Sequence, residues 1–185
     1  HVKRVCASPV SPHVFVSGSY DHRIRLWDTR QATSSFTLTH PDPVEELLFM
    51  PSGSLLVAAS GSVIRVHDIL SGGRVVQEMS CHQKHVSCLA LDGTGTRLLS
   101  ADLGGLVKVH HAHSYEAVHG FRYAAPVVSL AVSPDNKKLV AGLVDGSLSI
   151  RTRKLKAAEE EEDEAEEVAA IRSSQHLKQS VAVAA

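Results

Sequence analysis

The sequence predicts an all-β protein in which one small antiparallel sheet recurs four times. Two sequence anchors repeat with one period, and turn-forming residues separate the apolar runs that carry them. The first anchor reads "IRLWD" from Ile24, "IRVHD" from Ile64, "VKVHH" from Val107 and "LSIRT" from Leu148, at spacings of 40, 43 and 41. The second is an upstream apolar run, "VKRVCA" from Val2, "VEELLF" from Val44, "VSCLAL" from Val86 and "VVSLAV" from Val127, at spacings of 42, 42 and 41.

Taken in order, each unit opens with that upstream run as its first strand. A turn follows: "SPVSPH" from Ser8, "MPSGS" from Met50, "DGTGT" from Asp92 and "SPDNK" from Ser133, all rich in residues that set tight-turn geometry. The second strands are "VFVSG" from Val14, "LLVAA" from Leu55, "RLLSA" from Arg97 and "KLVAG" from Lys138. The "IRLWD" anchors supply the third strands. A weaker fourth fits Ser34 to Leu38, Val75 to Met79 and Ala117 to Phe121. The unit is a four-stranded meander, with repeats at about 1–40, 41–82, 83–123 and 124–153. Strands such as "VVSLAV" are apolar on consecutive positions, so both faces of each sheet should be covered. Radially stacked sheets meet that demand. Burying one aliphatic side chain contributes about 1.5–3 kcal/mol, so a sheet deprived of its neighbour loses heavily.

Charge divides the chain. Residues 1–153 hold 15 Lys/Arg and 12 Asp/Glu, net +3, whereas residues 154–185 hold 4 and 8, net −4. A body this weakly basic lacks the electrostatic footprint of a dedicated nucleic-acid binder. The tail carries "EEEEDEAEE" from Glu159 in an Ala-rich setting, which suits a mobile or partly helical, solvated segment. No apolar run approaches the roughly 18–20 residues of a membrane helix, so a soluble, intracellular chain without a membrane partner is expected. Cys6, Cys81 and Cys88 are odd in number, and reduced thiols are expected.

The period, the four strands per unit and the string "GSYDHRIRLWD" resemble WD-repeat β-propellers over residues 1 to about 152. Because the pattern is already under way at His1, the resemblance implies about four blades of a seven-bladed ring. It also implies a structural hydrogen-bond set: a turn Asp, a His ahead of the first strand, a Ser or Thr on the second and a Trp on the third. Ser17, Asp21 and Trp27 match it in the first repeat, where the His would precede His1. His40 and His82 take the His position later, while His67, His110 and Arg151 replace the Trp, and the turn Asp recurs only as Asp145.

Longer segments carry a narrower resemblance: "HPDPVEELLFMPSGSLLVAASGSVIRVHDILSGG", "HQKHVSCLALDGTGTRLLSADLGGLVKVH", "SYEAVHGFRYAAPVVSLAV" and "GLVDGSLSIRTRK". In order, they are similar to the second half of the propeller in a family of small nucleolar RNA-associated subunits of the small-subunit processome. That likeness implies a non-enzymatic scaffold in the nucleus and nucleolus, supporting pre-rRNA transcription and 18S rRNA processing. The implied partners are other processome subunits, with pre-ribosomal RNA and U-three small nucleolar RNA met mostly through the complex. The acidic tail departs from the basic linker and helical domain which that family carries after the position of Lys154. The general WD pattern also fits an adaptor of another class, such as a ubiquitin-ligase substrate receptor.

No catalytic, cofactor or metal site is expected. Ser17, Asp21 and His22 hold the letters of a hydrolytic triad, but no Gly-x-Ser-x-Gly elbow presents a nucleophile. "HHAH" at His110–His113 and "CHQKH" at Cys81–His85 lack paired cysteines and are expected to be polar loop histidines. Arg23, Arg25, Lys108, Arg122, Lys137, Lys138, Arg151 and Arg153 are spread one or two per repeat, as solvated edges or a modest RNA-facing patch.

Overall fold

The computed structural model describes residues 1–153, and among them there is strand and turn but no helix. The helical or mobile state expected for the tail lies outside the described residues. Fifteen strands form four antiparallel sheets in chain order. The first contains β1 (Val2–Ala7), β2 (Val14–Ser19), β3 (Arg23–Asp28) and β4 (Phe36–Thr39). The second contains β5 (Val44–Phe49), β6 (Leu55–Ser60), β7 (Val63–Asp68) and β8 (Arg74–Met79). The third contains β9 (Val86–Leu91), β10 (Arg97–Asp102), β11 (Leu106–His111) and β12 (Ala117–Arg122), and the fourth β13 (Val127–Val132), β14 (Lys138–Leu143) and β15 (Leu148–Thr152). The first strands β1, β5, β9 and β13 pack successively against one another, which is the blade arrangement of a propeller.

Alternation along the strands distributes the core. On β6, Leu56 and Ala58 join Val16, Ile24 and Leu26 of the first sheet, whereas Val57 and Ala59 face the other way. That second face meets Val86, Leu89 and Leu98 of the third sheet. A further cluster joins Cys88, Ala101 and Val107 to Val127 and Ala141 of the fourth. Successive β residues point to opposite faces, so a strand of consecutive apolar residues feeds two interfaces at once.

The outer sheets depart from the expectation that both faces are covered. Among the described residues, Val5 on β1, Val128 on β13 and Ile150 on β15 are exposed, the last at 60%. Among the described residues, one face of the first sheet and one of the fourth have a neighbouring sheet packed against them.

Two local devices recur in every blade. The pairing of first and second strands slips by one residue near its start, at Lys3, Glu45, Ser87 and Val128. Such a bulge increases local twist. In the third sheet its hydroxyl is put to use, since Ser87 Oγ donates 2.6 Å to Val127 O of the next blade. The turn joining second to third strand needs a left-handed residue: Gly61, Gly105 and Gly146 supply it, and in the first blade His22 does, at φ 65°. A Cβ carries a penalty there, and the His22 ring is held by a 2.8 Å contact from Nδ1 to Pro41 O.

Leu98 is fully buried between the second and third blades. We expect Leu98→Ala to cost about 2–5 kcal/mol, read as a lower urea midpoint of the full chain with unchanged slope.

Candidate functional site

The chemistry-bearing side chains of this chain converge at one type of position, repeated in each blade. The residue opposite the second position of the second strand is Trp27, His67, His110 and Arg151 in turn, paired across from Phe15, Leu56, Leu98 and Leu139. The fourth position of the second strand is Ser17, Ala58, Ser100 and Ala141. Where that position is Ser, the two meet.

In the first blade Trp27 Nε1 donates to Ser17 Oγ at 2.8 Å, and the indole stacks on Phe15. Asp21 does not join them. Its Oδ1 accepts from Arg23 N and its Oδ2 from Arg25, at 3.1 Å each, out in solvent. Asp145 is likewise a surface turn residue, with Oδ1 accepting from Ser147 N and Oγ. Both correct the expected buried role: a carboxylate that reaches the backbone amide two residues on closes its own turn and is drawn outward. Ser17, Asp21 and His22 therefore form no triad.

The third blade holds the complete set. His82 Nδ1 donates to Asp102 Oδ2 at 2.8 Å, and Ser100 Oγ lies 2.8 Å from His82 Nε2 and 3.1 Å from His110 Nε2. Asp102 Oδ1 accepts from Gly104 N and Leu106 N, so one carboxylate holds a ring and a turn. Burial pushes both rings below the ordinary imidazole range, His110 to about 4. With neutral rings one proton arrangement satisfies every contact: His110 donates to Ser100, Ser100 to His82 and His82 to Asp102. The order Asp102, His82, Ser100 matches that of a hydrolytic triad, but Ser100 is 0% exposed and its hydroxyl is enclosed by two rings. A substrate carbonyl has no approach to it.

The second blade improvises. Ala58 removes the hydroxyl, and His40 turns instead to His67, with the two Nε2 atoms 3.1 Å apart. His67 Nδ1 donates to Gly73 O, which leaves its Nε2 to accept from His40. Burial, followed by the neighbouring His67 and Arg65, holds His40 at about 4. His40 thus occupies the expected place with an unexpected partner. In the fourth blade Arg151 lies over the rings of Phe121 and Tyr123, 4.4 and 5.0 Å from their centroids.

The two histidine clusters also need correcting. His85, His111 and His113 are exposed, His111 at the end of β11 and not in a loop, but His82 and His110 are buried. His110 sits within β11 because it replaces a core indole, and His82 because Asp102 and Ser100 hold it. Cys81, His82 and His110 place one ligand-type atom each within 4.8 Å of the others. Asp102 escaped sequence reasoning because it follows Ser100 by two residues, whereas Asp21 follows Ser17 by four. Among the basic candidates, Arg25 pairs with Asp21, Arg122 donates to Gly104 O and Arg151 covers two rings, so these three form no common platform.

This geometry repeats what the sequence pattern anticipates, and the model of the WD domain, G-beta repeat, matches residues 1–28, 73–111 and 116–151. The chain belongs to the WD-repeat family. Among curated proteins this WD-repeat chain is 41% identical over 160 residues to the U3 small nucleolar RNA-associated protein 15 homolog of Gallus gallus, covering 86% of the chain and 31% of the relative. The Homo sapiens protein of that name is 39% identical over the same shares. The chain spans about a third of the length of the curated relatives it matches. Among solved structures, the WD40 β-propeller domain of Doa1 superposes with a TM-score of 0.75 at 19% identity, over 83% of the chain and 51% of that domain. At that identity the match shows the fold alone.

Two outcomes follow. His40 and His110 titrate near 4 when folded and near the ordinary 6.5 when unfolded. The unfolded chain binds more protons between those values, so their contribution is intact above pH 6.5 and is lost as pH falls toward about 4. Urea midpoints measured from pH 7.5 to 4 should fall across that window, less steeply in His110→Asn. Ser100→Ala removes the hydroxyl partner of His82 Nε2 and His110 Nε2 and should cost about 1–3 kcal/mol at pH 7, measured by the same titration.

Proposed function

We propose that this chain is part of a non-enzymatic scaffold in ribosome biogenesis, acting in the small-subunit processome. The observation that carries the reading is identity of about 40% across most of the chain to proteins named for association with U3 small nucleolar RNA. Identity at that level over four consecutive blades is far more specific than the WD pattern, which serves many unrelated assemblies. The buried polar set supports a structural role for the residues that look catalytic, since its only hydroxyl between two histidines is closed to solvent.

In this reading the protein works in the nucleolus, supporting pre-rRNA transcription and 18S rRNA processing. Residues 1–153 supply blades of a seven-bladed ring, and the acidic segment 154–185 meets basic partners. Other processome subunits are its direct partners, and the pre-ribosomal and U3 RNAs are reached mostly through them. The dispersed, partly neutralised arginines fit a surface that meets RNA within a larger assembly.

The test is affinity purification of the full-length protein from nuclear extract. We expect U3 small nucleolar RNA and processome subunits to co-purify and the protein to localise to nucleoli. Recovery of a cullin adaptor together with nucleolar exclusion would replace this reading with that of a ubiquitin-ligase substrate receptor.

A further inference from the structure

We propose that Cys81, His82 and His110 form a binding site for one transition-metal cation of the zinc class. The three ligand-type atoms lie within 4.8 Å of one another, and Cys81 Sγ is 3.9 Å from His110 Nε2. A tetrahedral zinc site with bonds of about 2.0–2.3 Å has ligand-to-ligand edges of about 3.3–3.7 Å, so modest side-chain rotation closes the cage. The donors come from two fixed elements. Cys81 and His82 occupy the connection between β8 and β9, and His110 stands inside β11.

The surroundings favour a cation there. Asp102 already holds His82 by Nδ1, which aims Nε2 into the cluster. A carboxylate behind a histidine in this way orients and strengthens a metal-binding imidazole. The nearby Lys108 opposes a cation, and the Asp102 carboxylate, in direct contact with His82, offsets it. Ser100 Oγ lies between the two rings and gives the site an oxygen donor that can complete four ligands once it releases its bonds to them. Cys81 is only half-buried, which leaves a path from solvent.

Binding involves no redox step. The Cys81 S–H bond breaks, its proton passes to solvent and the thiolate forms the metal–sulfur bond, while the His110 ring proton shifts from Nε2 to Nδ1 so that the Nε2 lone pair can bind. Because the thiol proton is released on binding, affinity should fall as pH is lowered.

Cobalt(II) is the probe, since a bound thiolate gives it a near-ultraviolet charge-transfer band that histidine or surface carboxylates alone do not. Titration of the untagged full chain under a non-chelating reductant should saturate near one equivalent, and zinc should abolish the band. Cys81→Ser should remove it, and Asp102→Asn should weaken binding about 10–100-fold. Cys6→Ser should leave it unchanged. Absence of a thiolate band in the wild-type chain, or a band that survives Cys81→Ser, would overturn the proposal.

Discussion

Everything in this chain depends on a strand having two faces and both being claimed. In β6 the residues Leu56 and Ala58 belong to one interface and Val57 and Ala59 to the next, so the strand cannot satisfy its core with a single neighbour. A helix with an apolar stripe buries it once. A sheet of this composition must be packed on both sides, and each partner sheet then has an outer face of its own. The architecture propagates for that reason, and the exposed Val5, Val128 and Ile150 mark where propagation stops among the described residues.

The buried polar set is a second layer laid over that packing. A Trp at the fifth position of the third strand supplies apolar area and one donor, whereas His110 supplies less area, a donor and an acceptor. Exchanging one for the other keeps the link to the strand-two serine and adds a ring nitrogen that must be accommodated. In the third blade the nitrogen that meets Ser100 also lies 3.9 Å from Cys81 Sγ and Nδ1 is left buried without a partner, and the second blade pairs two imidazoles instead. The same structural task therefore has three solutions in one chain. They differ in what they leave available: a stacked indole offers nothing further, while two neutral histidines and a thiol offer lone pairs.

Much of the fold was legible in the sequence because a repeat reports itself several times. The first, second and third strands fall within a residue of their expected limits, and β4 is shifted to Phe36–Thr39 since the polar run before it carries no periodic signal. Side-chain roles were less legible. Ser17 and Trp27 were readable from the intact motif. Asp21 and Asp145 stand where the family pattern puts a buried carboxylate, yet neighbouring backbone amides hold them at the surface. Asp102 was hidden because it is displaced along the chain by two positions, and His110, aligned with the Trp yet set in a run of polar histidines, gave two opposed signals of which burial is the outcome.

One relay of side-chain hydrogen bonds in the third blade runs in a single direction. From His110 through Ser100 and His82 to Asp102, each group gives to the next, and the carboxylate at the end spends its other oxygen on the amides of Gly104 and Leu106. That turn carries the exposed Leu103. A force applied to the surface at Leu103 therefore does not stop at the turn. It is transmitted by short polar contacts, without a compressible apolar layer between them, to the connection that enters the blade's innermost strand, which makes the rim and the central strand of this blade a single mechanical part.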